Sequence, residues 1–251
     1  MPPKSSTFRF YEELNDFIPG NDGKKDRQYD FFGHPKVKDA IESFGIPHTE
    51  VDLIIANGIP VNFDYQIKNN DRIAVYPKFE TLDISKVTKL NNSPLRTTKF
   101  ILDVHLGKLA RYLRLLGFDT LYSNDYEDDK IIDIASKENR IILTRDKVIL
   151  RNNKVTHGYY IRSDEPKEQL REVIKRFDLS ENLNIFSRCM DCNGKITSIR
   201  KKDIQSGLME GTKKYYTEFF QCKECNKIYW KGSHFQDMMQ FIESILKETN
   251  N

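Results

Sequence analysis

All four cysteines of this 251-residue chain fall in two C-x-x-C pairs, Cys189-Met190-Asp191-Cys192 and Cys222-Lys223-Glu224-Cys225, with 29 residues between them. Four thiolates at that spacing suit a tetrahedral zinc ion. A four-cysteine shell leaves no open coordination position, so the expected role is structural. A thioredoxin-like redox pair would open a helix, which neither pair does. Asn193-Gly194 and Asn226 follow the pairs, where tight turns can aim backbone N–H groups at sulfur.

The second group with chemical potential is acidic. Asp103 follows the apolar run Phe100-Ile101-Leu102, and Asp146 stands just past Arg140-Ile141-Ile142-Leu143-Thr144. Asp128 opens a helical pattern, with Asp125 just before it. In open parallel sheets the reactive crevice lies beyond the carboxyl ends of the strands. Carboxylates gathered there repel one another unless a hard cation joins them. Magnesium takes oxygen ligands and keeps waters, so two or three carboxylates hold it. Such an ion can activate water for phosphodiester hydrolysis. Each acid also has a plainer reading. Asp128 can cap its helix, Asp146 can cap the segment Lys147–Leu150, and Asp125 can be a loop residue. Asp103 is hardest to explain that way, because half-burying a carboxylate after three large apolar residues is costly without a partner. Lys108, Arg111 and Arg114 follow about one turn apart. They form a slanted basic stripe that would neutralise a nucleic-acid backbone, or else an ordinary solvated helix face.

The elements that must position these residues alternate between strand and helix. Strands are expected at 100–102, 120–122, 140–144 and 159–161, with helices after Asp103, from Asp128 and over 165–177. That alternation implies a parallel sheet with right-handed crossovers. Upstream, the chain reads as two strands at 7–11 and 29–32, a helix over 37–45 closed by Gly45, and short strands around 52–56, 59–61 and 72–77. Residues 81–98 are polar and aperiodic and read as a linker with few contacts, so 99–251 is expected to fold without 1–80. A closing helix is expected from Phe235 to Leu246. No apolar run approaches the roughly 18 residues of a membrane span, and the N-terminus lacks an apolar signal core, so a cytoplasmic location is expected. With 40 basic and 37 acidic residues the net charge is +3, which excludes a histone-like polycation.

The run from Phe100 to Asp119, FILDVHLGKLARYLRLLGFD, together with Arg140-Ile141-Ile142-Leu143-Thr144-Arg145-Asp146, resembles the PIN-like RNase domain at the C-terminus of Mut-seven proteins. Residues 1–80 resemble the β-grasp, ubiquitin-like fold that is often fused ahead of it. The stretch ending in Arg72-Ile73-Ala74-Val75-Tyr76-Pro77 resembles the end of sulfur carriers, but no terminal Gly-Gly follows. The expected fold is therefore α+β ubiquitin-like over 1–80, a linker over 81–98, an α/β PIN-like domain over 99–183, and a zinc ribbon with its closing helix over 184–251. The resemblance implies magnesium- or manganese-dependent hydrolysis of RNA. Asp103, Asp128 and Asp146 would hold the ion with Asp125 assisting, and Lys108, Arg111, Arg114 and Arg145 would contact RNA. The rival reading is a non-catalytic RNA-binding adaptor. A protein partner of the ubiquitin-like module is also implied.

Overall fold

The computed structural model describes residues 3–20, 25–77, 88–90, 98–180 and 183–249. In chain order the elements are β1 (Lys4–Phe10), β2 (Arg27–Phe31), α1 (Val37–Ser43), β3 (Val51–Ala56), β4 (Ile59–Val61) and β5 (Arg72–Pro77), then β6 (Lys99–Leu102), α2 (Gly107–Leu115), β7 (Asp119–Leu121), α3 (Asp128–Glu138), β8 (Ile141–Thr144), α4 (Lys147–Arg151) and β9 (Gly158–Tyr160). They continue as α5 (Pro166–Phe177), β10 (Ile196–Ile199), α6 (Lys201–Ile204), α7 (Glu210–Tyr215), β11 (Phe219–Cys222), β12 (Ile228–Trp230) and α8 (Ser233–Thr249). Short 3-10 turns lie at Glu12–Phe17, His48–Glu50 and Val104–Leu106. The chain divides into two compact units, Met1–Thr97 with Tyr126–Ile161, and Thr98–Asp125 with Arg162–Asn251.

The first unit begins with a five-stranded sheet in the order β2-β1-β5-β3-β4. β1 runs parallel to β5, while the β1–β2, β3–β5 and β3–β4 pairs are antiparallel. This is the β-grasp arrangement. Period-two patterning sets its faces. Phe8 and Phe10 of β1 and Ile73 and Val75 of β5 are buried with Val37, Ala40 and Ile41 of α1. α1 stops at Gly45, whose φ of +96° an L side chain rarely adopts. The β3–β4 hairpin turns on Asn57-Gly58, with φ of +51° and +82°, the positive pair that a tight two-residue turn requires.

The same unit contains α3, β8, α4 and β9, with β8 parallel to β9. All four residues of β8 are buried, as expected for a strand covered on both faces. α3 ends at Asn139 in the left-handed region. The ubiquitin-like module packs on this segment. The Phe17 and Tyr160 rings meet edge to face at 5.3 Å, and the Tyr160 N–H donates to Glu50 Oε1 at 2.7 Å. His48 Nε2 lies 2.9 Å from the Val155 carbonyl. Residues 81–87 and 91–97 of the expected linker lie outside the described residues. Thr88–Leu90 does not behave as a spacer. Leu90 is buried in the cluster around Phe8 and Ile54, and Thr88 Oγ1 donates to the Asp52 carbonyl. The expectation of few contacts is corrected accordingly, because an apolar side chain among polar neighbours found a core to enter.

The second unit pairs β6 and β7 in parallel and covers them with α2 and α5. Leu109, Ala110 and Leu113 of α2 and Leu170, Val173 and Ile174 of α5 are buried. α2 closes at Gly117, where an added Cβ would lie 2.3 Å from the Asn184 carbonyl oxygen. The ribbon is an antiparallel sheet in the order β10-β11-β12, followed by α8.

Candidate metal centre and acidic positions

β10 and β11 bring the two cysteine knuckles together. The ligand atoms of Cys189, Cys192, Cys222 and Cys225 all lie within 4.8 Å of one another. Cys189 Sγ is 3.6 Å from Cys225 Sγ, and Cys192 Sγ is 3.4 Å from Cys222 Sγ. Zinc–sulfur bonds of about 2.3 Å put tetrahedral thiolates roughly 3.8 Å apart, so the quartet fits a single ion. Among the described residues it is the one group of three or more His, Cys, Asp or Glu side chains close enough to hold a metal.

Local backbone explains the closeness. Asn193 and Asn226 adopt φ of +70° and +60°, which turns each knuckle sharply. The N–H groups of Cys192 and Glu224 point at the sulfurs of Cys189 and Cys222. At Gly194 a Cβ would sit 2.9 Å from Cys222 Sγ and 2.4 Å from Glu224 Cγ, so only glycine fits. Burial alone would push the Cys189 thiol up. The Tyr229 hydroxyl and the N–H groups of Cys192 and Asp191 outweigh it and bring that thiol down to about 7. Burial pushes Cys192 up to about 12 and raises Cys225. Tyr229, 2.9 Å from Cys189 Sγ, is held above its ordinary range by burial and by that contact.

Sequence reasoning missed how the ribbon is fixed to α2 and β7. Arg114 is 3% exposed. It donates to the carbonyls of Thr120 at 2.9 Å, Met190 at 3.1 Å and Asp191 at 2.7 Å. Burial draws its pKa below the usual guanidinium range. The placement of Arg114 on an RNA-contacting stripe is thereby corrected, since its donors are engaged inside the protein. Asn193 joins the same seam, accepting from the Thr120 N–H at 3.0 Å and donating to Asp119 Oδ1 at 2.9 Å. Arg188 pairs with Asp119 at 3.2 Å. Arg111 remains exposed and faces Asp191 at 3.3 Å, while Lys108 is exposed on the same helix. The hydrogen bond from Lys227, above all, holds the Asp191 carboxyl below the usual carboxylate range.

The acidic positions divide between the units. In the second, Asp103 directly follows β6 and is 6% exposed. Its carboxylate caps the Val104–Leu106 turn by accepting from the Val104 N–H at 2.5 Å. Tyr122 braces this turn by donating to the Val104 carbonyl at 2.8 Å. Gly107 leaves room for that ring, because a Cβ there would lie 2.6 Å from the Tyr122 hydroxyl. Asp125 is exposed in the loop after β7. In the first unit, Asp146 follows β8 and Asp128 is the first residue of α3, where Glu127 occupies the cap position. Asp146 caps α4, accepting from the Val148 N–H at 2.7 Å, and Arg145 precedes it half-buried.

The chain thus combines a β-grasp module, acids at the carboxyl ends of parallel strands and a four-cysteine ribbon. The family model described as Mut7-C RNAse domain matches residues 98–242, and that described as Mut7-C ubiquitin matches residues 4–83. The chain belongs to the Mut7-C RNAse domain family, with the ubiquitin-like domain ahead of it. It is 33% identical over 106 residues to the human protein named exonuclease mut-7 homolog, a stretch covering 40% of this chain and 12% of that protein. No solved structure matches the chain.

Proposed function

We propose that this protein is a ribonuclease that hydrolyses RNA phosphodiester bonds with magnesium or manganese. Asp103, Asp128 and Asp146, which are not among the groups already close enough to hold a metal, would take the ion when it binds, and Asp125 would assist. The observation that carries this reading is the placement of Asp103, a nearly buried carboxylate directly behind β6, in a chain of the Mut7-C RNAse domain family. A carboxylate buried to this degree is kept charged by hydrogen bonds and by a cation, and the Val104 N–H already supplies one such bond. When bound, the ion would polarise a phosphoryl oxygen and lower the pKa of an attacking water. The chain's own part is to fix Asp103 through the Val104 N–H and the Tyr122 brace, and to offer Lys108, Arg111 and Arg145 to phosphate. Zinc in the cysteine quartet would be structural, holding the ribbon against α2. Four thiols kept for zinc suit the reducing cytoplasm. The domain limits proposed are 1–80, 81–98, 99–183 and 184–251. The ubiquitin-like module is proposed to take a protein partner.

The rival reading, a non-catalytic RNA-binding adaptor, draws support from Asp146, whose carboxylate already caps α4. Incubating the purified chain with single-stranded and with structured RNA separates the two. Magnesium, manganese and no added metal are the arms. Metal-dependent cleavage supports the enzyme. Bound but intact RNA under every metal supports the adaptor.

A further inference from the structure

The face of the β-grasp sheet opposite α1 carries a feature that the nuclease reading does not use. Outward positions alternate along each strand, with Thr7 and Arg9 on β1, Arg72, Ala74 and Tyr76 on β5, and Ile55 on β3. The register sets Arg9 opposite Ala74 and Ala74 opposite Ile55. Because Ala74 is small, the middle of the face is hollow. A cavity of about 300 Å³ opens there, floored by Ile55 and Ala74 and flanked by Arg9, Arg72, Tyr11 and Asp26. That volume is at the lower end for small-ligand sites and suits one nucleotide.

Charge decides the occupant. Among the described residues, Arg9 and Arg72 share one carboxylate, Asp26, at 3.5 and 3.8 Å. These are long, exposed contacts of the kind that contribute little. Among these three side chains one positive charge is left over, and both forked guanidinium groups can turn to a phosphate. An aromatic surface stands beside them. The Tyr11 and Tyr76 rings stack at 4.3 Å and 13°, and the Arg9 guanidinium lies 5.7 Å from the Tyr11 ring centre. Guanidinium pairs beside aromatic rings over an apolar hollow are the parts from which single-stranded nucleic acid sites are built, with rings for bases and cations for the backbone.

We propose that this sheet face binds single-stranded RNA, seating one nucleotide in the hollow with its phosphate between Arg9 and Arg72. The proposal rests on the RNA reading above and deepens it. The ubiquitin-like module would hold a strand of the substrate.

The test is fluorescence anisotropy of a labelled ten-nucleotide uridine RNA on the full chain without added divalent ions. It compares wild type, Arg9→Ala/Arg72→Ala and Asp26→Asn, with thermal melts to show that the variants are folded. The arginine variant should bind about tenfold more weakly, with a salt slope smaller by about 1. Asp26→Asn should bind more tightly, a sign that a structural role for the ion pair would not give. Equal affinity for all three, or weaker binding by folded Asp26→Asn, overturns the site. Should the double variant not fold, photo-crosslinking of a 4-thiouridine RNA to wild type replaces it. Crosslinks at Tyr11 or Tyr76 support the site, and crosslinks confined to residues 98–242 overturn it. Arginine-dependent capture of a polyglutamate peptide in place of RNA also overturns it, in favour of an acidic protein segment. RNA held here but never cleaved under any metal leaves this site standing and sinks the nuclease reading.

Discussion

Replacing Arg114 with methionine tests how the zinc ribbon and α2 depend on each other. Methionine keeps an unbranched apolar stem, ends near the position of the arginine Nε, and removes every donor. The carbonyls of Thr120, Met190 and Asp191 then lose their bonds to a side chain that is 3% exposed. A buried acceptor left unpaired costs about 1–3 kcal/mol, and water admitted to the seam recovers part of that. Three such acceptors are affected at once. With that recovery, Arg114→Met should cost about 3–5 kcal/mol. Arg111→Ala, one turn earlier, removes an exposed pair with Asp191 and should cost about 0–1 kcal/mol. The assay is urea unfolding of the full chain, with zinc release followed by a colorimetric chelator. Arg114→Met should release zinc at a lower urea concentration, while Arg111→Ala should follow wild type. Equal midpoints for the two variants would refute the seam as described.

Cys189→Ser should reduce bound zinc from about one per chain to well below one by elemental analysis and loosen the ribbon, because zinc binding and folding are coupled; unchanged zinc content would place the ion elsewhere. Deleting residues 1–80 should lower the melting temperature, since it uncovers Tyr160 and removes the Glu50 acceptor and the His48 contact at Val155; an unchanged melt would show that the module only rides on the chain. Gly107→Ala should displace the Tyr122 ring, which its Cβ would meet at 2.6 Å, and so slow RNA cleavage more than it lowers stability; a variant with wild-type rates would remove Tyr122 as the brace of Asp103.

Most of the fold was legible because periodicity and turn chemistry are local. Phe100-Ile101-Leu102 gave β6, and the Leu109, Ala110 and Leu113 spacing with Gly117 gave α2. Val37, Ala40 and Ile41 with Gly45 gave α1. The cysteine quartet was legible for the same reason, since two C-x-x-C pairs need only a hairpin between them to meet. Arg114 was not. Lys108, Arg111 and Arg114 recur every three residues, and each such step falls about 60° short of a full turn on a helix with 3.6 residues per turn. By Arg114 the stripe has rotated off the solvent face into the seam. Its carbonyl partners at Met190 and Asp191 lie far along the chain, where no local pattern records them. The Glu12–Phe17 turn and the short helices α6 and α7 were also missed, for none carries more than about two turns of periodicity. For Asp146 the capping alternative is realised in the structure, which a local reading could state but not decide.

In the proposed reaction Asp103 holds the ion that promotes RNA hydrolysis. The most direct test of this role is the single-turnover cleavage rate of Asp103→Asn beside wild type, with saturating RNA and manganese. Asparagine keeps the size of the side chain and can still accept from the Val104 N–H, so folding should be preserved. Loss of an outer-shell partner costs a metal site about 10- to 100-fold, and loss of a direct ligand should exceed that. The expected result is a folded variant that binds RNA and cleaves it at a rate reduced by more than about 100-fold. Cleavage by Asp103→Asn at the wild-type rate would contradict it.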